Sequence, residues 1–523
     1  MTLSNKNRRH HRPGSSSQGG LTRRGLIKGM GAAAGVAFAG PFISGRASAQ
    51  APAKTPKFLI VLCASGGASI IDAAMAIRAS ESANAETLNC FPDAWVEDIG
   101  NFRAVKGEMP ALGPIPVPVK TDQTAFVRKH QSDMMVATWT RTSVNHGIGE
   151  YRSVSGNDAW FGRTMQEAMA LEYGEDFLLP NVHLLTGTGF TAPGVDATLP
   201  NWARGETVAD PSLWPLSLDG IKGIDGVPDR KLVNLARRAR NTRFDPATRF
   251  ARVFGNSKRM QHWAHLRGDA QLGLEAEDLI SKLMVFPDSP DFPLSSRGLT
   301  SSPFGDQVRE KFPDYADDPL QAQAALAFLL LKYRLSVSVT FGPSFNVAVE
   351  PGTSLNGIYG GGDRELDEGS IKNPPIGFDF SHQGHRSVQG LMWDRVYNVA
   401  DGLIDLLKSE EYADGESMWD HSMIYVAPDF GRSKRRPAGA IEFGSGHDLN
   451  NGIAVFSPLV NGGRVLGGVN PDTGFTHGFD PTSGAPDPGR EMEEKEIYAG
   501  LVHALGIDTS GGGLPDMPVM RKA

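Results

Sequence analysis

Four short stretches of this chain concentrate the side chains that can bind a cation or move a proton. Ser65-Gly66-Gly67-Ala68-Ser69-Ile70-Ile71-Asp72 sets a carboxylate behind a glycine turn, and Ser143-Val144-Asn145-His146 sets a hydroxyl near an imidazole. Asp379-Phe380-Ser381-His382-Gln383-Gly384-His385 is the densest cluster of possible metal ligands. The fourth stretch runs from Asp429-Phe430-Gly431-Arg432 through the basic Lys434-Arg435-Arg436 to Gly446-His447-Asp448. Carboxylate oxygens and imidazole nitrogens ligate divalent ions such as zinc, manganese, calcium or magnesium, and a guanidinium holds an anionic group. Taken singly, each stretch could equally cap a helix or form a turn.

What would bring them together is the pattern of elements around them. Phe58–Ala64 and Met134–Trp139 are continuous apolar runs, the signature of strands buried on both faces, and Asn181–Leu185 and Met423–Ala427 read the same way. A further strand is expected at Val337–Phe341 or Phe345–Val349, and another from Ile453 to Val460. Helices are expected over 156–172, 321–333, 387–408 and 491–505. Val388, Met392, Val396, Val399, Leu403 and Leu406 keep one face of the third apolar, and Gly506 follows the last as a C′ glycine. Strands alternating with helices predict an α/β fold with a mostly parallel sheet covered on both faces. In such a sheet the strands' carboxyl ends share one edge, where all four polar stretches would meet and could hold one or two metals and an anion. Asn461 to Gly468 reads as a glycine turn, and Gly187–Ala192 as a turn followed by Pro193 rather than a dinucleotide loop. Residues 194–318 read as a largely helical insertion, in which His262 and His265 share a packed or solvated helix face. Gly357–Gly369 is an acidic glycine-rich loop without calcium-loop spacing.

The first 49 residues differ from the rest. They hold eight of the 52 Lys and Arg residues and none of the 59 Asp and Glu, which leaves 44 basic against 59 acidic residues and a formal charge of −15 beyond them. An acidic chain is a poor binder of nucleic acid. A basic lead with Arg23-Arg24, an apolar run from Met30 to Ile43 and Ala47-Ser48-Ala49 have the order of an export signal of the twin-arginine type. The expectation is recognition by the twin-arginine translocation machinery, a periplasmic or extracellular destination and a domain spanning 50–523. The apolar run falls short of the ~20 residues a membrane span needs, so no stable membrane insertion is expected after cleavage. Of two cysteines, Cys63 lies in an apolar run and reads as a buried thiol, with a Cys63–Cys90 disulfide as the open alternative.

The order of these motifs resembles the DUF1501 family of exported proteins in the alkaline phosphatase/sulfatase superfamily. The resemblance runs from Phe58 to Asp508 and is most specific at Asp429-Phe430-Gly431-Arg432-Ser433, His447 and Asn461 to Gly468. It implies a three-layer α/β/α sandwich and metal-assisted hydrolysis of a phosphate or sulfate ester. In that reading Asp379, His382 and His447, with Asp72 and His146, hold the metal, Arg432 holds the anion, and Ser143 stands in for the nucleophile. The chain departs from the family pattern at Ser69 and Gly446, where Asp is usual, at Asn145, where Ser precedes the His, and at Asp429, where Glu is usual. Those departures keep open the alternative of a non-catalytic secreted binding or assembly protein on the same fold.

Overall fold

The computed structural model describes residues 54–110, 118–208 except 186, short stretches within 231–254, residues 279–343 except 292, 298 and 317, and residues 377–522. The expected export signal at 1–49, the His262/His265 pair, most of the expected insertion and the loop 357–369 lie outside them.

Among the described residues eight strands form one central sheet: β1 Phe58–Ala64, β2 Met134–Trp139, β3 Asn181–His183, β4 Glu206–Thr207, β5 Ser338–Phe341, β6 Ser422–Pro428, β7 Asn451–Phe456 and β8 Arg464–Leu466. Across the sheet they run β8-β2-β7-β6-β1-β5-β3-β4. The apolar runs of the sequence are the central strands: every residue of β1, β2, β6 and β7 is buried. All neighbours are parallel except β7, which runs antiparallel to β6 and β2. The sheet is mostly parallel, as expected, with β7 alone reversed. One expectation is corrected: the second half of the supposed glycine turn is the edge strand β8, pairing with β2 through Arg464, Val465 and Leu466.

Helices cover both faces, and the side chains of two paired strands show it. Phe456 of β7 lies opposite Ile424 of β6, and its ring meets Tyr397 of the helix His385–Ser409. Tyr425, the next residue of β6 and therefore on the other face, donates its hydroxyl to the Ser153 carbonyl of the helix His146–Ser155 at 3.0 Å. The chain is thus mixed α/β with a large, mostly parallel sheet between helical layers.

The helix His385–Ser409, called α1, spans 25 residues and buries Val388, Met392, Val396, Val399, Leu403 and Leu406 as its spacing requires. Beside it lies the helix Pro319–Lys332, started by Asp318 accepting from the Leu320 amide with Pro319 in the first turn. The helix expected over 156–172 begins only at Met165, where Thr164 and Glu167 form a capping box; residues 156–162 are turns that follow the helix His146–Ser155, which Asn145 caps. Both cysteines are free and buried.

Candidate metal centre

The site lies where the loops after β1, β2 and β6 and the loop before β7 emerge. Because β7 is antiparallel, the loop that enters it lies at the edge where the parallel strands end, and this carries His447 to the others.

The loop after β1 turns at Gly66 and Gly67, whose φ angles are +100° and +81°. Both glycines are required. A Cβ on Gly66 would lie 2.1 Å from the Asp379 amide nitrogen, and one on Gly67 would lie 2.5 Å from Arg432 Nε. The two amides made available by this turn donate to the Asp429 carboxylate, Gly66 to Oδ2 at 3.1 Å and Gly67 to Oδ1 at 2.6 Å. Asp429, fully buried at the end of β6, is thereby fixed, and its Oδ2 receives His146 Nδ1 at 2.6 Å. That bond places the Nδ1 proton of His146 on the carboxylate side and turns Nε2 inward, 3.2 Å from Asp379 Oδ1.

His447 is oriented in the same way by a different partner. Its Nδ1 donates to the Val144 carbonyl at 2.7 Å, so its Nε2 also faces the cluster, 3.9 Å from Asp379 Oδ1. His382, one helical turn beyond Asp379 in the short 3-10 segment Phe378–His382, brings a third Nε2 to 3.4 Å from the same oxygen and 2.9 Å from His447 Nε2. Phe430 lies beneath, stacked on His447 at 4.2 Å and tilted against His146 at 4.6 Å between ring centres. Three imidazole nitrogens therefore converge on one carboxylate oxygen. One ligand atom from each of His146, Asp379 and His447 lies within 4.8 Å of the others, so this group could hold a metal ion.

Asp379 is itself held by Arg432, whose Nη2 lies 2.8 Å from Oδ1. Arg432 is 0 % exposed, and its other donors go to the Gly66 and Ser445 carbonyls. Its guanidinium is therefore engaged with the chain, where the sequence had suggested an anion clamp.

The charges shift as this geometry demands. Burial alone would lower the pKa of His146, but hydrogen bonds to Asp379 and Asp429, with the charges of both, raise it to about 9. Burial opposes ionisation of Asp379, yet its bonds to His146 and His382 and the charge of Arg432 hold it far below the usual carboxylate range. His447 is lowered, first by burial, against its bond to Val144 and helped by the charges of His146, Arg432 and His382.

The remaining residues suggested by the sequence lie apart from this group. Asp72 is buried and bonds His385 Nε2 at 3.1 Å and Asn89 Nδ2 at 2.8 Å, while His385 Nδ1 meets Ser445 Oγ at 2.8 Å. Asp72 thus anchors the start of α1 and the backbone that receives Arg432, through Ser445, without joining the convergent nitrogens. Ser143 Oγ accepts from the Asn145 amide at 3.1 Å, beginning the turn that caps His146–Ser155. Sequence reasoning assigned no place to Glu150, which is buried, accepts from Ser65 Oγ and from the Gly189 amide at 2.6 Å, and is raised by burial and then by the charge of Asp429. Its helical spacing of four from His146 was the signal available.

No known family model matches this chain, and comparison with curated proteins gives no match.

Proposed function

We propose that this protein is an exported, divalent-metal-dependent hydrolase of phosphate or sulfate esters, on an alkaline phosphatase-like α/β/α sandwich of the DUF1501 kind. The observation that carries the reading is the convergence of His146, His382 and His447 Nε2 on Asp379 Oδ1, with the tautomers of His146 and His447 set by Asp429 and Val144. His146, Asp379 and His447 would hold the ion. A bound divalent ion supplies Lewis acidity toward an ester oxygen and lowers the pKa of water at neutral pH. Around it, Arg432 fixes the Asp379 carboxylate, Asp429 fixes His146, and Phe430 supports the rings. His382, with a side chain 33 % exposed, connects the group to solvent.

The test is elemental analysis of the purified protein with turnover of 4-nitrophenyl phosphate and 4-nitrophenyl sulfate. One equivalent of zinc, manganese, calcium or magnesium, lost in His146→Ala and Asp379→Asn together with activity, is the expected result. Absence of any stoichiometric metal overturns it. A second reading, a non-catalytic binding protein on the same fold, is favoured by two contacts: Arg432 is engaged internally and Ser143 Oγ in a turn. Stoichiometric metal without turnover of either ester would select it.

A further inference from the structure

Beside the metal group, the loop after β6 and the loop before β7 form a two-residue ladder in which Gly431 faces Asp448 and Arg432 faces His447. Arg432 and His447 point toward Asp379, so Asp448 and Ser433, one residue along on each strand, point the other way. On that far face opens a pocket of about 320 Å³, lined by Ser433 and Asp448 and, among others, Asn84, Lys434, Arg435, Asp472 and Phe475.

The polar groups of this pocket are incompletely used. Lys434 is buried, yet of its three N–H donors only one has an acceptor among the described residues, the Asn450 carbonyl at 2.9 Å. Arg435 is exposed, and its guanidinium makes no hydrogen bond or ion pair among the described residues. Asp448 and Asp472 each commit one carboxylate oxygen, Asp448 to the Asn450 amide at 2.9 Å and Asp472 to the Ala83 amide at 2.7 Å. The Phe475 ring, 50 % exposed, supplies one apolar wall. Two cations balanced by two carboxylates do not make a site for a bare anion. Cationic donors and carboxylate acceptors interleaved beside an exposed aromatic ring suit a ligand whose groups both donate and accept and which has one C–H face. A sugar ring has both properties: every hydroxyl is donor and acceptor, and its axial C–H groups lie against an aromatic face.

We propose that this pocket binds a pyranose unit of a carbohydrate, with Phe475 as its stacking platform, Arg435 and Lys434 as donors, and Asp448 and Asp472 as acceptors. None of these residues belongs to the metal group, so the proposal stands independently of the hydrolase reading.

The test is isothermal titration of the full chain, with and without added manganese, against oligosaccharides of neutral hexoses, N-acetylhexosamines and uronic acids, with sodium sulfate as the bare-anion control. At least one oligosaccharide should bind irrespective of metal. Phe475→Ala should weaken it at least about tenfold and Phe475→Trp should preserve it. Asp472→Asn keeps an oxygen for the Ala83 amide and should still weaken binding roughly fivefold. Circular dichroism checks that each variant is folded. No binding by any oligosaccharide, or equal binding by Phe475→Ala and Asp472→Asn, overturns the proposal. So does sulfate binding that equals the best saccharide and is abolished by Arg435→Gln, which would make the pocket an anion site.

Discussion

On the proposed function a metal would compete with protons for His146, and the competition has a calculable size. With its pKa near 9, His146 is charged at neutral pH in the metal-free protein, its Nε2 proton directed at Asp379. A metal at Nε2 displaces that proton, because a ligating imidazole must be neutral. Asp379 is already ionised and His447, lowered by burial, is already neutral, so neither adds a proton to the exchange. Apparent affinity should therefore rise about tenfold for each pH unit below about 9 and flatten above it. Between pH 6.5 and 8.5 this is roughly a hundredfold, or about 2.7 kcal/mol. Titrating manganese calorimetrically in two buffers of different ionisation enthalpy measures both the slope and the proton released, expected to be about one per ion. Asp429→Asn, which removes one of the charges that raise His146, should shift the break in the curve to lower pH. An affinity that varies less than about threefold across this range, at a site that His447→Ala abolishes, would refute the reasoning.

Three further outcomes follow from the same contacts. Arg432→Met removes a buried guanidinium and leaves the Gly66 and Ser445 carbonyls unpaired; a loss of about 3–5 kcal/mol in urea unfolding is expected. Gly66→Ala combines a positive φ with a Cβ driven against the Asp379 backbone and should cost roughly 2–4 kcal/mol and release bound metal. Asp394 on α1 is raised to about 7, chiefly by burial and also by the charge of Asp122, against hydrogen bonds from Thr121 and the Asp122 amide. A carboxyl raised on folding contributes stability that is complete below its unfolded pKa and is lost as pH rises through about 7. Asp394→Asn should therefore gain on the order of 2 kcal/mol at pH 8 relative to pH 4, measured by chemical denaturation.

Much of the scaffold was legible because its strands are buried on both faces and so appear as unbroken apolar runs: Phe58–Ala64 and Met134–Trp139 have the expected bounds. Direction was not. Nothing in Asn451–Phe456 distinguishes an antiparallel strand from a parallel one, since both are apolar throughout when buried. The edge strand Arg464–Leu466 was hidden by the glycines around it. At the site, residue types sufficed to nominate His146, Asp379, His382 and His447, because the carboxyl-edge rule brings them together. Roles that depend on what a side chain meets were out of reach. Arg432 could be a clamp or a brace until its acceptors were seen, and Asp72 could be a ligand until its pairing with His385 was seen.

The hydrogen bond from Gly67 to Asp429 joins residues 362 apart in the chain, and β1 is clasped between β5 and β6 at the middle of the sheet. Of the described strands the innermost is therefore made first and must stay unpaired on one side until Pro428 has been made. Assembly is governed by distant pairing, a slow class of folding in which exposed strand edges invite association. The charge cluster inherits this dependence: Asp429 and Arg432 come late to glycines that were synthesised early, so the cluster that would hold a metal is completed only when the sheet closes.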